Sequence, residues 1–257
     1  MGKREIRVYD DKNSLSGASA ELVCELAGAA VEDHGSFTLM LAGGSTPRTL
    51  YALLADEPFN ARMPWIDTFL FWGDERFVPD DHPESNYRMA RQAMIERVPV
   101  PDGNVFPVPT GDSADAAAAA QRYAGILTGF FAGNEIAAES EAWNIPRFDL
   151  ILLGVGEDGH TASLFPGGVE LKETVKPVTA VRAPAEYETT ERVSVTLPVL
   201  NNAATVLFLA AGGGKRIVLD SVLNDPERAR EIYPAAMVNP VDGRLIWFLD
   251  READVGA

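Results

Sequence analysis

Apolar residues along this chain fall into two arrangements. Some form short unbroken runs, and others recur at helical spacing over longer stretches. The runs read as strands covered on both faces, because a strand with one wet face would alternate. They are Phe37–Leu41, Thr68–Trp72, Phe148–Leu153, Thr205–Ala210 and Arg244–Leu249, with a shorter one at Ile6–Tyr9. Helical spacing marks Ser14–Glu32, where Leu15, Ala18, Leu22, Leu26 and Ala29 share one side. It also marks Pro47–Asp56, Ser85–Arg97, Lys215–Leu223 and the alanine-rich Asp112–Phe131. Val178–Arg182 and Arg192–Thr196 read as weaker strands. Strands alternating with helices predict an α/β fold of βαβ units. Right-handed crossovers would place helices on both faces of a mostly parallel central sheet. No linker and no internal repeat interrupts the series, so one domain over residues 1–257 is expected.

In such sheets ligands bind beyond the carboxyl ends of the strands, and four strand ends carry chemistry. The first is Leu41-Ala-Gly-Gly-Ser-Thr-Pro-Arg48. Gly43 and Gly44 let the backbone turn tightly and approach a ligand. Ser45 or Thr46 suits a helix cap, and Pro47 suits the first helical position. The reading is a capped turn or, given two glycines and two hydroxyls, a phosphate cradle at a helix N-terminus. The second is Trp72-Gly-Asp-Glu-Arg-Phe-Val-Pro79, mixed charge directly after an apolar strand. It reads as a solvated loop or as a site. In a site Arg76 would bind an anion or oxyanion with its rigid fork, and Asp74 or Glu75 would hold that fork or meet sugar hydroxyls.

The third strand end runs from Leu153 through Gly-Val-Gly-Glu-Asp-Gly-His160 to Pro166. Gly154, Gly156 and Gly159 match a dinucleotide-binding spacing, but Pro166 interrupts the helix that motif requires. The glycines fit better as a turn presenting Asp158 and His160. Imidazole changes charge near neutral pH and suits general-base work, with a carboxylate to fix its tautomer. The fourth is Ala210-Ala-Gly-Gly-Gly-Lys-Arg216, which lacks the spacing and the hydroxyl of a Walker A loop. Lys215 at a helix start opposes the helix dipole, and a bound anion would offset that cost.

Charge narrows the partners. The 22 Lys+Arg against 38 Asp+Glu leave a net charge of −16, which argues against a nucleic-acid partner. It leaves room for a small anion, because a cleft can be locally positive on an acidic protein. Cys24, the one cysteine, permits no internal disulfide. His34, His82 and His160 lie in separate elements, so no catalytic metal is expected. No apolar stretch approaches the roughly 18–20 residues of a membrane span, and Met1–Asp10 lacks the apolar run of a signal sequence. A cytoplasmic protein with no membrane partner is expected.

Taken in order, the stretches Leu41–Pro47, Trp72–Pro79, Ser85-Asn-Tyr87, Gly154–Pro166 and Thr196-Leu-Pro-Val-Leu-Asn201, with Gly214-Lys215 behind them, resemble the 6-phosphogluconolactonase family. The resemblance implies a Rossmann-like fold shared with glucosamine-6-phosphate deaminases. It implies hydrolysis of 6-phospho-D-glucono-1,5-lactone to 6-phosphogluconate in the oxidative pentose phosphate pathway. It implies no cofactor, no metal and a monomer, with His160 as catalytic base and Arg76 in the active site. On that chemistry Asp158 would orient His160 and Arg76 would stabilise the oxyanion. The phosphate would rest on Gly43, Gly44, Ser45 and Thr46, with Lys215, Arg192 and Arg48 as candidate partners. Two alternatives remain open. The related deaminases carry an acidic residue five positions after the histidine, where this chain has Phe165. A non-catalytic sugar-phosphate sensor would have no need of the Asp158–His160 pair.

Overall fold

In a computed structural model, residues 4–133 and 144–257 are described. Among the described residues, ten strands fall into two sheets. They are β1 (Arg4–Tyr9), β2 (Phe37–Leu41), β3 (Thr68–Trp72), β4 (Asp74–Arg76), β5 (Val105–Phe106), β6 (Leu150–Leu153), β7 (Val178–Arg182), β8 (Glu191–Val195), β9 (Thr205–Ala210) and β10 (Arg244–Asp250). The main sheet has the order β1-β10-β9-β6-β2-β3-β5, and every neighbouring pair in it is parallel. Every residue of β2, β6 and β9 is buried, which is why these strands appear in the sequence as unbroken apolar runs.

From β1 through β2 and β3 to β5 the chain moves one way across the sheet. It then returns through β6 and β9 to β10. Right-handed crossovers put the helices of the two directions on opposite faces. Helices Lys12–His34, Ser45–Leu54 and Asn86–Ala93 therefore share one face, where the second packs against the other two. Helices Ala116–Ala132 and Arg216–Asn224 belong to the return path. The first of these packs against β7 and β8.

One correction to the sequence reading concerns the sheets. Asp74–Arg76 is not a loop, and β7 and β8 do not join the main sheet. Instead these segments form an antiparallel sheet of order β4-β8-β7. The switch occurs at Gly73. Its N–H donates to the Leu41 carbonyl of the main sheet, and its carbonyl accepts the Val195 N–H of β8, both at 2.9 Å. One residue thus hands the chain from one sheet to the other with its backbone groups paired.

Two tyrosines secure strand ends at the carboxyl edge. Tyr51 Oη accepts the Ala42 N–H and donates to the Ala42 carbonyl, both at 2.8 Å. Tyr123 Oη accepts the Trp72 N–H at 2.8 Å and donates to the Trp72 carbonyl at 3.0 Å. β5 pairs only with Leu70 and Phe71, so Trp72 lies past the last edge pairing and Tyr123 takes the place of a strand. Both hydroxyls are fully buried, and burial drives their pKa values up beyond any physiological pH.

Among the described residues no helix is long and apolar enough to cross a membrane.

Candidate active site

Register brings the predicted strand ends to one edge. Leu41 lies beside Trp72, and Leu153 beside Phe208. The segments leaving β2, β3, β6 and β9 line one cavity of about 230 Å³. Gly43, Gly44, Ser45, Thr46, Asp74, Arg76, His160, Arg192 and Lys215 all border it. Arg48 is exposed and does not border it.

The first turn departs from expectation in its capping. The helix begins at Ser45 rather than Pro47, with Gly44 as its cap and no side-chain hydrogen bond. Gly44 has φ of 102°, which an L-residue with a Cβ seldom adopts. Ser45 and Thr46 are therefore helical, and the first N–H groups of the helix are left for solvent or a ligand. Gly43 is fixed by crowding: a Cβ there would lie 2.1 Å from Asn86 Oδ1. Asn86 opens the Asn86–Ala93 helix and also borders the cavity.

The Gly154–Leu164 turn is compact, and no helix opens on its glycines. The Gly156 N–H donates to the His160 carbonyl at 2.9 Å, and the Gly159 N–H to the Gly156 carbonyl at 3.0 Å. His160 Nδ1 lies 2.5 Å from Asp158 Oδ1, which also accepts the His160 backbone N–H at 3.1 Å. A Cβ on Gly156 would fall 2.1 Å from His160 Nδ1, so only glycine allows this pair to form. Burial pushes the Asp158 carboxyl pKa up, but hydrogen bonds and charge from His160 outweigh it and hold the carboxyl below its usual range. With Nδ1 committed to Asp158, Nε2 is the nitrogen left for the cavity.

Three cations border this cavity. Arg76 and Arg192 are direct register partners across β4 and β8. Arg76 Nη1 donates to the Glu84 carbonyl at 2.5 Å, while its Nε is buried without a partner among the described residues. Arg192 is buried, and its Nε donates to the Thr189 carbonyl at 3.1 Å. Burial first, then the neighbouring Arg76 charge, weakens its hold on its proton. Lys215 donates from Nζ to the Val155 carbonyl at 2.5 Å. Burial lowers its pKa against the opposing pull of Glu157 and Asp250. Two crowded guanidiniums and a desolvated ammonium make a cavity that an anion would stabilise.

The acidic residues of β4 divide the work differently from the sequence reading. Asp74 is buried at the cavity wall. Its Oδ2 accepts Ser163 Oγ–H at 2.6 Å, and its backbone carbonyl accepts Asn86 Nδ2–H at 2.9 Å. Glu75 does not touch Arg76's fork. Its carboxylate accepts the N–H groups of Arg76, Asn86 and Tyr87, each at 2.8 Å, and Ser85 Oγ–H at 3.1 Å. It thus caps the helix that carries Asn86. Burial pushes its pKa up to about 7 against those hydrogen bonds. Among the described residues, no group of three or more His, Cys, Asp or Glu is arranged to hold a metal ion.

Residues 10–247 match the family model described as glucosamine-6-phosphate isomerases/6-phosphogluconolactonase. The chain belongs to this family. A 6-phosphogluconolactonase of Synechocystis sp. is 41% identical over 224 residues, covering 87% of this chain and 86% of that protein. One from Nostoc sp. is 37% identical over 251 residues, 98% and 97% of the two chains. The solved 6-phosphogluconolactonase of Trypanosoma cruzi superposes with a TM-score of 0.84 at 32% identity, over 98% of this chain and 97% of that one. A monomeric glucosamine-6-phosphate deaminase superposes with a TM-score of 0.77 over 97% and 98% of the chains. At 18% identity that likeness establishes the shared fold alone.

Within this family fold, position 165 is informative. Phe165 is buried, and its ring packs at 4.8 Å from the His160 ring. Where the deaminase pattern calls for a carboxylate, this family member offers hydrocarbon to the imidazole. Glu75 takes a different role from the one the sequence suggests, and Asn86, Ser163 and Tyr187 have no role there, although Asn86 and Ser163 lie inside the stretches Ser85-Asn-Tyr87 and Gly154–Pro166.

Proposed function

We propose that this chain hydrolyses 6-phospho-D-glucono-1,5-lactone to 6-phosphogluconate, the lactone-opening step of the oxidative pentose phosphate pathway. The observation that carries the proposal is the His160–Asp158 pair at the wall of a cavity bordered by Arg76, Arg192 and Lys215. A base beside a site for two separated negative charges suits a phosphorylated ester that develops an oxyanion.

His160 Nε2 takes a proton from water as the water oxygen bonds to C1 of the lactone. The carbonyl electrons move onto oxygen, and Arg76 stabilises that charge. One such donor contributes about 3 kcal/mol to the transition state. Collapse of the intermediate breaks the bond from C1 to the ring oxygen, and protonated His160 returns its proton to that oxygen. Asp158 holds the imidazole in the tautomer this cycle needs and stabilises its charged form. The 6-phosphate rests on Gly43, Gly44, Ser45 and Thr46 at the open helix N-terminus, with Lys215 and Arg192 beside it. Binding at the phosphate fixes the ring for attack at the far end. Asp74, tied to Ser163 and Asn86, shapes the wall between the two ends. Arg48, exposed and outside the cavity, has no part in this scheme.

The test is lactone decay with the substrate generated in situ and spontaneous hydrolysis subtracted. His160→Ala should lose 10²–10⁴-fold in rate, the span of general-base assistance. Near-full activity in that variant would remove His160 as the base. Ammonia release from an amino-sugar phosphate would instead favour the deaminase reading, which Phe165 opposes.

A further inference from the structure

The His160–Asp158 pair has a third neighbour. Tyr187 sits in the connection between β7 and β8, outside the cavity wall. Its hydroxyl lies 3.3 Å from His160 Nδ1 and 3.4 Å from Asp158 Oδ2. Its ring packs 5.2 Å from Phe165 and meets the His160 ring edge-on at 5.9 Å. The Arg192 guanidinium lies over the same ring at 5.1 Å. Phe165, Val181, Ala183 and Tyr187 form a small apolar cluster apart from the main core. The connection is tied at both ends. The Ala183 N–H donates to the Thr190 carbonyl at 2.8 Å, and Thr189 Oγ1 donates to the Glu84 carboxylate.

We propose that Tyr187 is a positioning residue for the His160–Asp158 pair, its hydroxyl donating to the carboxylate oxygen that His160 leaves free. This rests on the reading of His160 as the base. Both His160 donors go to Oδ1, so nothing on that loop fixes the rotation of the carboxylate plane. A donor on Oδ2 fixes it, and with it the direction of His160 Nε2. At 3.4 Å the bond is loose, and catalytic hydrogen bonds commonly tighten when substrate fills the site. The ring meanwhile packs against Arg192, so the same residue links the base to a cation of the cavity.

The charged groups around the Tyr187 hydroxyl are Asp158 and His160 on the Gly154–Leu164 turn, Arg192 on β8 and Glu186 on its own turn. Donation to Oδ2 withdraws negative charge from Asp158. Removing it leaves the carboxylate better able to stabilise protonated His160. Tyr187→Phe keeps the ring and its packing and deletes only the hydroxyl. We expect kcat to fall about five- to tenfold with KM within twofold, and the acid limb of the pH–rate profile to move to higher pH. NMR titration of the His160 imidazole should move the same way. Only His34 and His82 share its spectrum, so the assignment is tractable. Tyr187→Leu, which also removes the cation–π contact, should in addition raise KM through Arg192.

A Tyr187→Phe protein with wild-type kcat and an unmoved His160 titration overturns the proposal. A lowered kcat with an unmoved titration overturns it too, since that pattern is merely structural. If wild type hydrolyses no lactone, the function reading fails. The NMR shift then still reports whether Tyr187 acts on the pair, so the two failures are distinguishable.

Discussion

Asp158→Asn isolates the electrostatic part of the His160–Asp158 pair. The substitution is nearly isosteric, so the turn and the Gly156 contact are kept while the charge is lost. A hydrogen bond to a charged group contributes about 1.5–3 kcal/mol, and the 2.5 Å separation puts this one among the strong ones. The Asp158 side chain keeps 38% of its surface exposed and His160 22%. Water therefore screens the interaction and replaces part of it, so we take the lower end, about 1.5 kcal/mol. On the proposed mechanism the pair strengthens as imidazolium forms. The loss therefore falls on kcat, by roughly tenfold at 1.4 kcal/mol per decade, with KM little changed. The assay is proton release from the lactone with spontaneous hydrolysis subtracted, in wild type, both single variants and the double variant. Groups acting as a unit are not additive. Asp158→Asn should therefore cost nothing further in the His160→Ala background. A kcat within twofold of wild type would refute the reasoning. So would a tenfold loss that persists when His160 is already gone, since Asp158 would then act on something else.

Other outcomes follow from the same geometry. Gly43→Ala should displace Asn86, whose Oδ1 would lie 2.1 Å from the new Cβ; we expect kcat/KM to fall at least tenfold in the lactone assay. Tyr123→Phe leaves the buried Trp72 N–H and carbonyl without the hydroxyl that pairs them. That costs about 1–3 kcal/mol, or roughly 2–4 °C in Tm per kcal/mol for a chain of this size, measurable by calorimetry. Glu75 gives a pH signature. Burial lifts its pKa from 4.5 to about 7, so the folded protein holds a proton that the unfolded chain releases at lower pH. This contribution is fully present below pH 4.5 and is lost as pH rises to about 7. Urea unfolding at pH 5 and pH 7.5 should show wild type losing about 2 kcal/mol relative to Glu75→Gln over that window. A constant gap would show that the four hydrogen bonds, rather than burial, set its charge.

The α/β architecture was legible because the central strands are covered on both faces and so leave unbroken apolar runs. Five strands of the main sheet longer than four residues, β1, β2, β3, β9 and β10, lie within a residue or two of their predicted ends. The second sheet was not legible as one. Asp74–Arg76 is a three-residue strand made of charged side chains, and no periodicity distinguishes it from a loop. What makes it a strand is pairing with β8, more than a hundred residues away in the chain. The capping of the Ser45–Leu54 helix was misread because Ser and Thr are good caps in general. Gly44 at positive φ serves instead and leaves the first N–H groups open.

The candidate site divides along the same line. Residues read from the main sheet's strand ends, Gly43 to Thr46 and Lys215, stand where local sequence put them, since a glycine turn followed by a helix is a local signal. The partners that tune the chemistry come from elsewhere: Ser163 on Asp74, Glu75 under the Asn86 helix, Tyr187 beside His160. Glu75 and Ser163 stand inside stretches the sequence singles out, but with partners it does not name, and Tyr187 stands outside all of them; only the fold of the antiparallel sheet onto the parallel one brings these groups into reach. On the proposed function this division has a purpose. The parallel sheet supplies the phosphate end through a helix N-terminus. The antiparallel sheet supplies Arg76 at the reacting end and Arg192 beside the phosphate, and the Gly154–Leu164 turn brings His160 to the reacting carbon. A molecule with net charge −16 can hold an anionic substrate there because buried Arg192, half-buried Arg76 and a desolvated lysine lie where the sheets meet. Short separation and partial burial let those three charges outweigh a surplus of acids that is mostly exposed and screened by water.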